Sequence, residues 1–246
     1  SYRIEGTALN QRLCLLHWLR RALRLCPQFV SHQFTPALKT ALKQHGIARP
    51  LYDDANLRAL INFCSRKLQR QFECRDIQFL QLYLQYCLIQ HHLGNTPQFS
   101  HAQRSWTQSR GEYFTAQEIV RHWKRRVPQG AHVDEQLFLA LLFMMLRTPD
   151  PVLDKHQQDQ RLRRAIVRMV ARFRSQTGMN FSDEQGLTDQ LYIHLSQALD
   201  RSLFEIGIDN SLPEEIHRLY PRLLRTTKEA LFELEAEFGL RFSDEE

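Results

Sequence analysis

The sequence predicts an all-α protein, and three observations carry the prediction. Apolar residues recur three and four positions apart along nearly the whole chain, the spacing that lines one face of a helix. Period-two alternation, the mark of a half-buried strand, is confined to the short Tyr2-Arg3-Ile4. Helix start and stop residues also recur where the apolar periods begin and end.

The elements follow in order. The spacing predicts helices over about 8–25, 36–45, 54–72, 75–93, 115–127, 134–147, 160–177, 183–204 and 213–238. Thr35 with Pro36 reads as an N-cap and first helical residue, and His45-Gly46 as a C-terminal stop. Thr115 with Glu118, and Ser182 with Gln185, read as capping boxes. Pro221 is expected to kink or split the last helix. The stretch TPDPVLDKHQQD, 148–159, holds two prolines and few apolar residues and reads as a connector between two helical units.

The two units look alike. FECRDIQFLQLYLQYCLIQHH from 72 aligns with FSDEQGLTDQLYIHLSQALDR from 181 at an offset of 109, and Asp134-Glu135 meets Asp244-Glu245 at 110. Two matches at nearly one spacing point to a duplicated helical domain. Ser243-Asp244-Glu245-Glu246 repeats a helix-start pattern where the sequence stops, so a further helix is expected beyond it, equivalent to LFLALLFMML after Asp134-Glu135.

Composition bounds the function. The 246 residues suffice for two domains, and 43% apolar residues suffice for their cores. No stretch approaches the roughly eighteen apolar residues of a membrane span, and SYRIEGTALN lacks a signal-peptide apolar region. A soluble, cytoplasmic protein with no membrane partner is expected. The five cysteines, Cys14, Cys26, Cys64, Cys74 and Cys87, are odd in number and contain no C-x-x-C. Falling in apolar stretches, they are expected as reduced small hydrophobes and not as a disulfide or zinc framework. The net charge of +6 tolerates an anionic partner without demanding one.

Motifs narrow it further. His91 and His92 are adjacent and so point to different helix faces, and no H-E-x-x-H or zinc-spaced set occurs; no metal and no cofactor is expected. G-x-G-x-x-G, Walker A and G-x-S-x-G are missing, which argues against an enzyme. RLRRAIVRMVARFR, 161–174, sets Leu162, Ile166, Met169, Val170 and Phe173 on one face and six arginines around the rest, a core-facing helix with a solvated basic back. Direct nucleic-acid binding through that back is a weaker alternative. Trp18, Trp106 and Trp123 are scattered and expected to pack. On the predicted helix 183–204, Gln190, His194, Gln197 and Arg201 fall at i, i+4, i+7 and i+11, a polar stripe beside Leu187, Leu191, Leu195, Ala198 and Leu199. His194 and Arg201 stand about 10 Å apart along the axis, too far for a direct hydrogen bond but suited to a phosphate between them.

The stretch from Leu187 to Tyr220-Pro221, with H-x6-R at His194 and Arg201, then IDNSLPEEIHRLYPRL and F-S-D-E-E, resembles a PTS regulation domain (PRD). The resemblance implies a non-enzymatic transcription regulator or antiterminator with tandem PRD bundles. Such proteins form homodimers and are phosphorylated on histidine by the sugar phosphotransferase system through HPr or EIIB. It implies residues 1–6 as the remnant of an upstream winged-helix-like region, 7–50 as a helical linker, 51–150 as a first, degenerate PRD and 151–246 as a second, truncated one. Nucleic acid would be bound only by the upstream domain. His194 matches the family's phosphoacceptor, with Arg201 as its partner and Gln190 and Gln197 as flanking contacts. In the first unit the two acceptor positions hold Gln85 and Leu142, and His92 replaces the arginine. The alternative is a degenerate PRD that acts as a dimeric interaction scaffold without phosphorylation.

Overall fold

A computed structural model describes residues 4–125, 132–147, 149, 151–152, 154, 157–206 and 221–242. Among these residues the only regular elements are helices, as predicted. The chain divides into two compact units, Ser1–Leu146 and Arg147–Glu246.

The first unit opens with α1, Ala8–Leu25, capped by the Thr7 hydroxyl, which accepts from the Asn10 amide at 3.2 Å. Its apolar face buries Leu13, Leu16, Leu19 and Ala22 against α4. Residues 7–50, read from the sequence as a linker, thus contribute to this unit's core. The next helix corrects the expected start at Thr35. A continuous helical run begins at Pro27, passes through a π-helical segment, Val30–Phe34, and continues as α2, Thr35–Gln44. Pro36 explains the π-turn: its ring would clash with the carbonyl four residues back, and the wider turn, with the Thr35 amide bonded to the Val30 carbonyl, relieves it. The stop at His45-Gly46 holds, with Gly46 at φ +65° and the Ile47 amide donating to the Leu42 carbonyl.

Helix α3, Asp54–Leu68, is capped by Asp53 and ends earlier than the expected residue 72, at Gln69 in the left-handed region. Helix α4, Cys74–His92, is buried on nearly every side, with α1, α2 and α3 packed around it. Next comes a helix the periodicity does not predict: α5, His101–Gln108, started by a Ser100/Gln103 capping box. The expected box at Thr115 is overturned, because α6, Gly111–Lys124, starts a turn earlier and buries Thr115 in its interior. The true box, SHAQ, has the required spacing but lacks a long apolar run after it. Helix α7, His132–Met145, is apolar all round, and Leu137 to Met144 are all at most 3% exposed. It is the centre of the first unit and packs most extensively on α6.

In the second unit α8, Gln157–Thr177, buries Leu162, Ala165, Ile166 and Val170. Helix α9, Glu184–Leu203, and α10, Pro221–Phe238, both pack on it. The N-cap of α9 is Asp183, whose carboxylate accepts from the Gly186 amide at 2.8 Å, one residue later than the expected Ser182. Residues 213–220 of the expected last helix, the Ser243–Glu246 pattern and most of the Tyr2-Arg3-Ile4 strand lie outside the described residues.

Three cysteines depart from expectation. Cys64 and Cys87 are buried, whereas Cys14, Cys26 and Cys74 are exposed; all five are free. Among the described residues no helix is long and apolar enough to cross a membrane.

Candidate functional site

Helix α9 buries Tyr192, Leu195, Ser196, Ala198 and Leu199 and turns the predicted polar stripe the other way. Gln190 and His194 are exposed, and Gln197 and Arg201 are half-buried at the edge. Arg201 already interacts with other protein groups. His194 makes no hydrogen bond or ion pair with the described residues. An exposed imidazole held by nothing can present a ring nitrogen to a partner that docks on this face.

The underside of α9 is fixed by charge that the sequence did not advertise. The Tyr192 hydroxyl donates to Asp154 Oδ2 at 2.8 Å. Arg147 donates to the same oxygen at 3.2 Å and to Ser196 Oγ at 2.9 Å. Arg163 lies over the Tyr192 ring at 4.8 Å. Burial first, then the Asp159 and Asp154 carboxylates, push the Tyr192 phenol well above its ordinary value, so it remains a donor. Tyr192 and Ser196 flank His194 by two residues on the buried side, so this network sets the rotation of α9 that leaves His194 outside.

Four of the six arginines of α8 pair with three carboxylates. Arg161 and Arg168 both pair with Glu237, Arg172 with Glu233, and Arg174 with Glu184. Paired in this way, they offer little net charge to a nucleic-acid backbone.

In the first unit the equivalent positions differ. Gln85 is 1% exposed and its amide donates to the Gln81 carbonyl at 2.7 Å. Leu142 is 0% exposed. His92 is exposed, while its neighbour His91 is fully buried, so the two do face apart.

Sequence reasoning missed the densest polar cluster. Arg12 of α1 forms a bidentate pair with Glu135 of α7, Nη1 to Oε1 at 2.5 Å and Nη2 to Oε2 at 2.9 Å, with the two side chains 1% and 0% exposed. Arg12 Nη2 also donates to the Asn95 carbonyl at 2.9 Å, and its guanidinium lies 4.9 Å over the Phe138 ring. His91 Nδ1 stands 3.3 Å from Glu135 Oε2, and its Nε2 lies 3.2 Å from His132 Nδ1. Burial alone would raise the Glu135 pKa; Arg12 and His91 outweigh it and hold the carboxylate below its ordinary value. A signal was present: Arg12 shares the helical phase of Leu16 and Leu19, at i, i+4 and i+7. Arg12, His91 and Glu135 are buried, so this part of the cluster is a structural tie within the unit. Trp123 is buried as expected, but Trp18 is 42% exposed, edge-on to Phe29 and tilted against Phe34. Among the described residues no group of histidine, cysteine and carboxylate could hold a metal ion.

Two similar helical segments in tandem define an all-α protein built on a repeated helical domain. The chain belongs to the PRD domain family, whose pattern matches residues 58–145 and 167–246. The two matches begin 109 residues apart, the offset found by self-comparison. Along its whole length the chain is 64% identical to the stationary phase-inducible protein CsiE of Escherichia coli (strain K12), and it spans 58% of that relative's length. No solved structure matches the chain.

Proposed function

We propose that the chain is the tandem-PRD part of a non-enzymatic transcription-regulatory protein, with His194 as a phosphoacceptor served by HPr or EIIB of the phosphotransferase system. The observation that carries this reading is the exposed, unbonded imidazole of His194 on a helix whose other face is pinned by Tyr192, Ser196 and Leu199. Phosphorylation adds about two negative charges and strong acceptor oxygens. Arg201, half-buried two turns along, and Gln190 and Gln197 beside it are the groups that would answer that charge. A homodimer that brings basic residues of a second copy to this face would turn the charge into a shift between two packings. In this reading 1–6 ends an upstream winged-helix-like region that binds nucleic acid, 7–50 precedes the first PRD over 51–150, and the second PRD runs over 151–246 in the cytoplasm.

The degenerate-scaffold alternative draws on the first unit, where Gln85 and Leu142 are buried and offer no acceptor. One experiment separates the two. The protein is incubated with Enzyme I, HPr and phosphoenolpyruvate, and acid-labile phosphate is mapped by mass spectrometry. Label on His194 that disappears in His194→Ala is expected. An unlabelled chain, beside a PRD protein labelled in the same mixture, supports the scaffold.

A further inference from the structure

Helix α1 carries His17, Arg20, Arg21 and Arg24 at i, i+3, i+4 and i+7, a single continuous face. That face looks across an open cleft of about 480 Å³ to the start of α4, from which Arg75 reaches in. Among the described residues none of these four arginines has a hydrogen bond or an ion pair. Three arginines of the same unit do find a carboxylate: Arg70 pairs with Glu112, Arg104 with Asp134 and Arg12 with Glu135. Glu73 and Asp76 line the cleft without pairing with the arginines, which leaves two positive charges in excess.

Two further features border the cleft. Burial and then the Arg20 charge push the His17 imidazole below its ordinary value. The N-cap of α4, Glu73, makes no side-chain capping bond, and this end of the 19-residue helix borders the cleft.

We propose that the cleft between α1 and the start of α4 is a binding site for a small ligand carrying two or more adjacent phosphate groups. One phosphate offers too few oxygens for four guanidinium forks, each suited to bidentate contact. The volume lies within the roughly 300–1,000 Å³ typical of small-molecule sites. Glu73 and Asp76 disfavour a long polyanion running past the arginines, and they would accept hydrogens from hydroxyl groups on the body of a compact ligand. Helix α1, which supplies three of the four arginines, lies outside both segments that match the family pattern, whereas Arg75 lies within 58–145.

The test is isothermal titration calorimetry on the whole chain at low salt, with inorganic pyrophosphate and tripolyphosphate as probes and inorganic phosphate for comparison. Two variants remove cleft charge from either side, Arg20→Ala with Arg24→Ala, and Arg75→Ala; a third, Arg58→Ala with Arg164→Ala, removes the same charge from exposed sites elsewhere. Pyrophosphate is expected to bind one to one, about 100-fold more weakly in the double cleft variant through loss of charge-assisted hydrogen bonds, and unchanged in the third variant. All the substituted arginines are exposed, and circular dichroism melting checks that each variant folds as the parent does. Absence of pyrophosphate binding, or equal binding by all variants, overturns the proposal. Binding of a twelve-nucleotide single strand through the same arginines, without pyrophosphate binding, also overturns it and makes the face a nucleic-acid surface.

Discussion

Arg12 and Glu135 join the first helix of the chain to the central helix of its unit, and neither side chain meets solvent. Removing one member of such a pair strands the other charge, at a cost of about 3–5 kcal/mol. Arg12→Ala is therefore expected to lower the unfolding free energy by that amount in urea titrations, and far more than Arg58→Ala at an exposed site. The pair also sets a pH dependence. Because folding depresses the Glu135 pKa, its contribution is present above the unfolded carboxyl value and is lost as pH falls through the folded value. Stability should decline on acidification, and Glu135→Gln should flatten that limb of the curve while lowering stability at neutral pH. At this scale the sequence is legible where a polar residue stands on a polar stripe, as at His194. It is opaque where the residue's partner is remote, since Arg12 and Glu135 are 123 residues apart.

Between α8 and α10 two kinds of contact run side by side. Arg161, Arg168 and Arg172 reach Glu237 and Glu233 at the surface, while Leu234 and Ala230 are buried at 1% and 2% exposure. Exposed pairs contribute about 0.2–1 kcal/mol each, whereas a buried leucine cut to alanine costs about 2–5. Leu234→Ala should thus destabilise the second unit several-fold more than Glu233→Ala, and only the Glu233→Ala difference should fade in high salt, as chemical denaturation would read. Element prediction works best where an apolar period is long, as in α8. It fails at α5, whose eight residues give too short a period, and at Pro36, where a break in sequence becomes a π-turn within one helical run.

The duplication shows how one helix is used twice. Helix α4 is wrapped by α1, α2 and α3 until Gln85 is enclosed; α9, its counterpart by the repeat, keeps His194 in the open. The self-comparison reveals the duplication but not this difference, because the covering helices lie outside the aligned stretch. A Gln85→His substitution is accordingly expected to stay unlabelled in the phosphotransfer mixture that labels His194. The tie between Arg12 and Glu135 also fixes where the first copy can be cut. The family pattern starts at residue 58, yet the carboxylate at 135 has its counter-charge upstream, on a helix that also seals Tyr83 by accepting its hydroxyl at the Arg12 carbonyl. A chain begun at residue 51 would leave the Glu135 carboxylate with His91 alone beside it and an open flank along α4, so the smallest stretch that folds is expected to include that guanidinium, whatever the boundaries of the family.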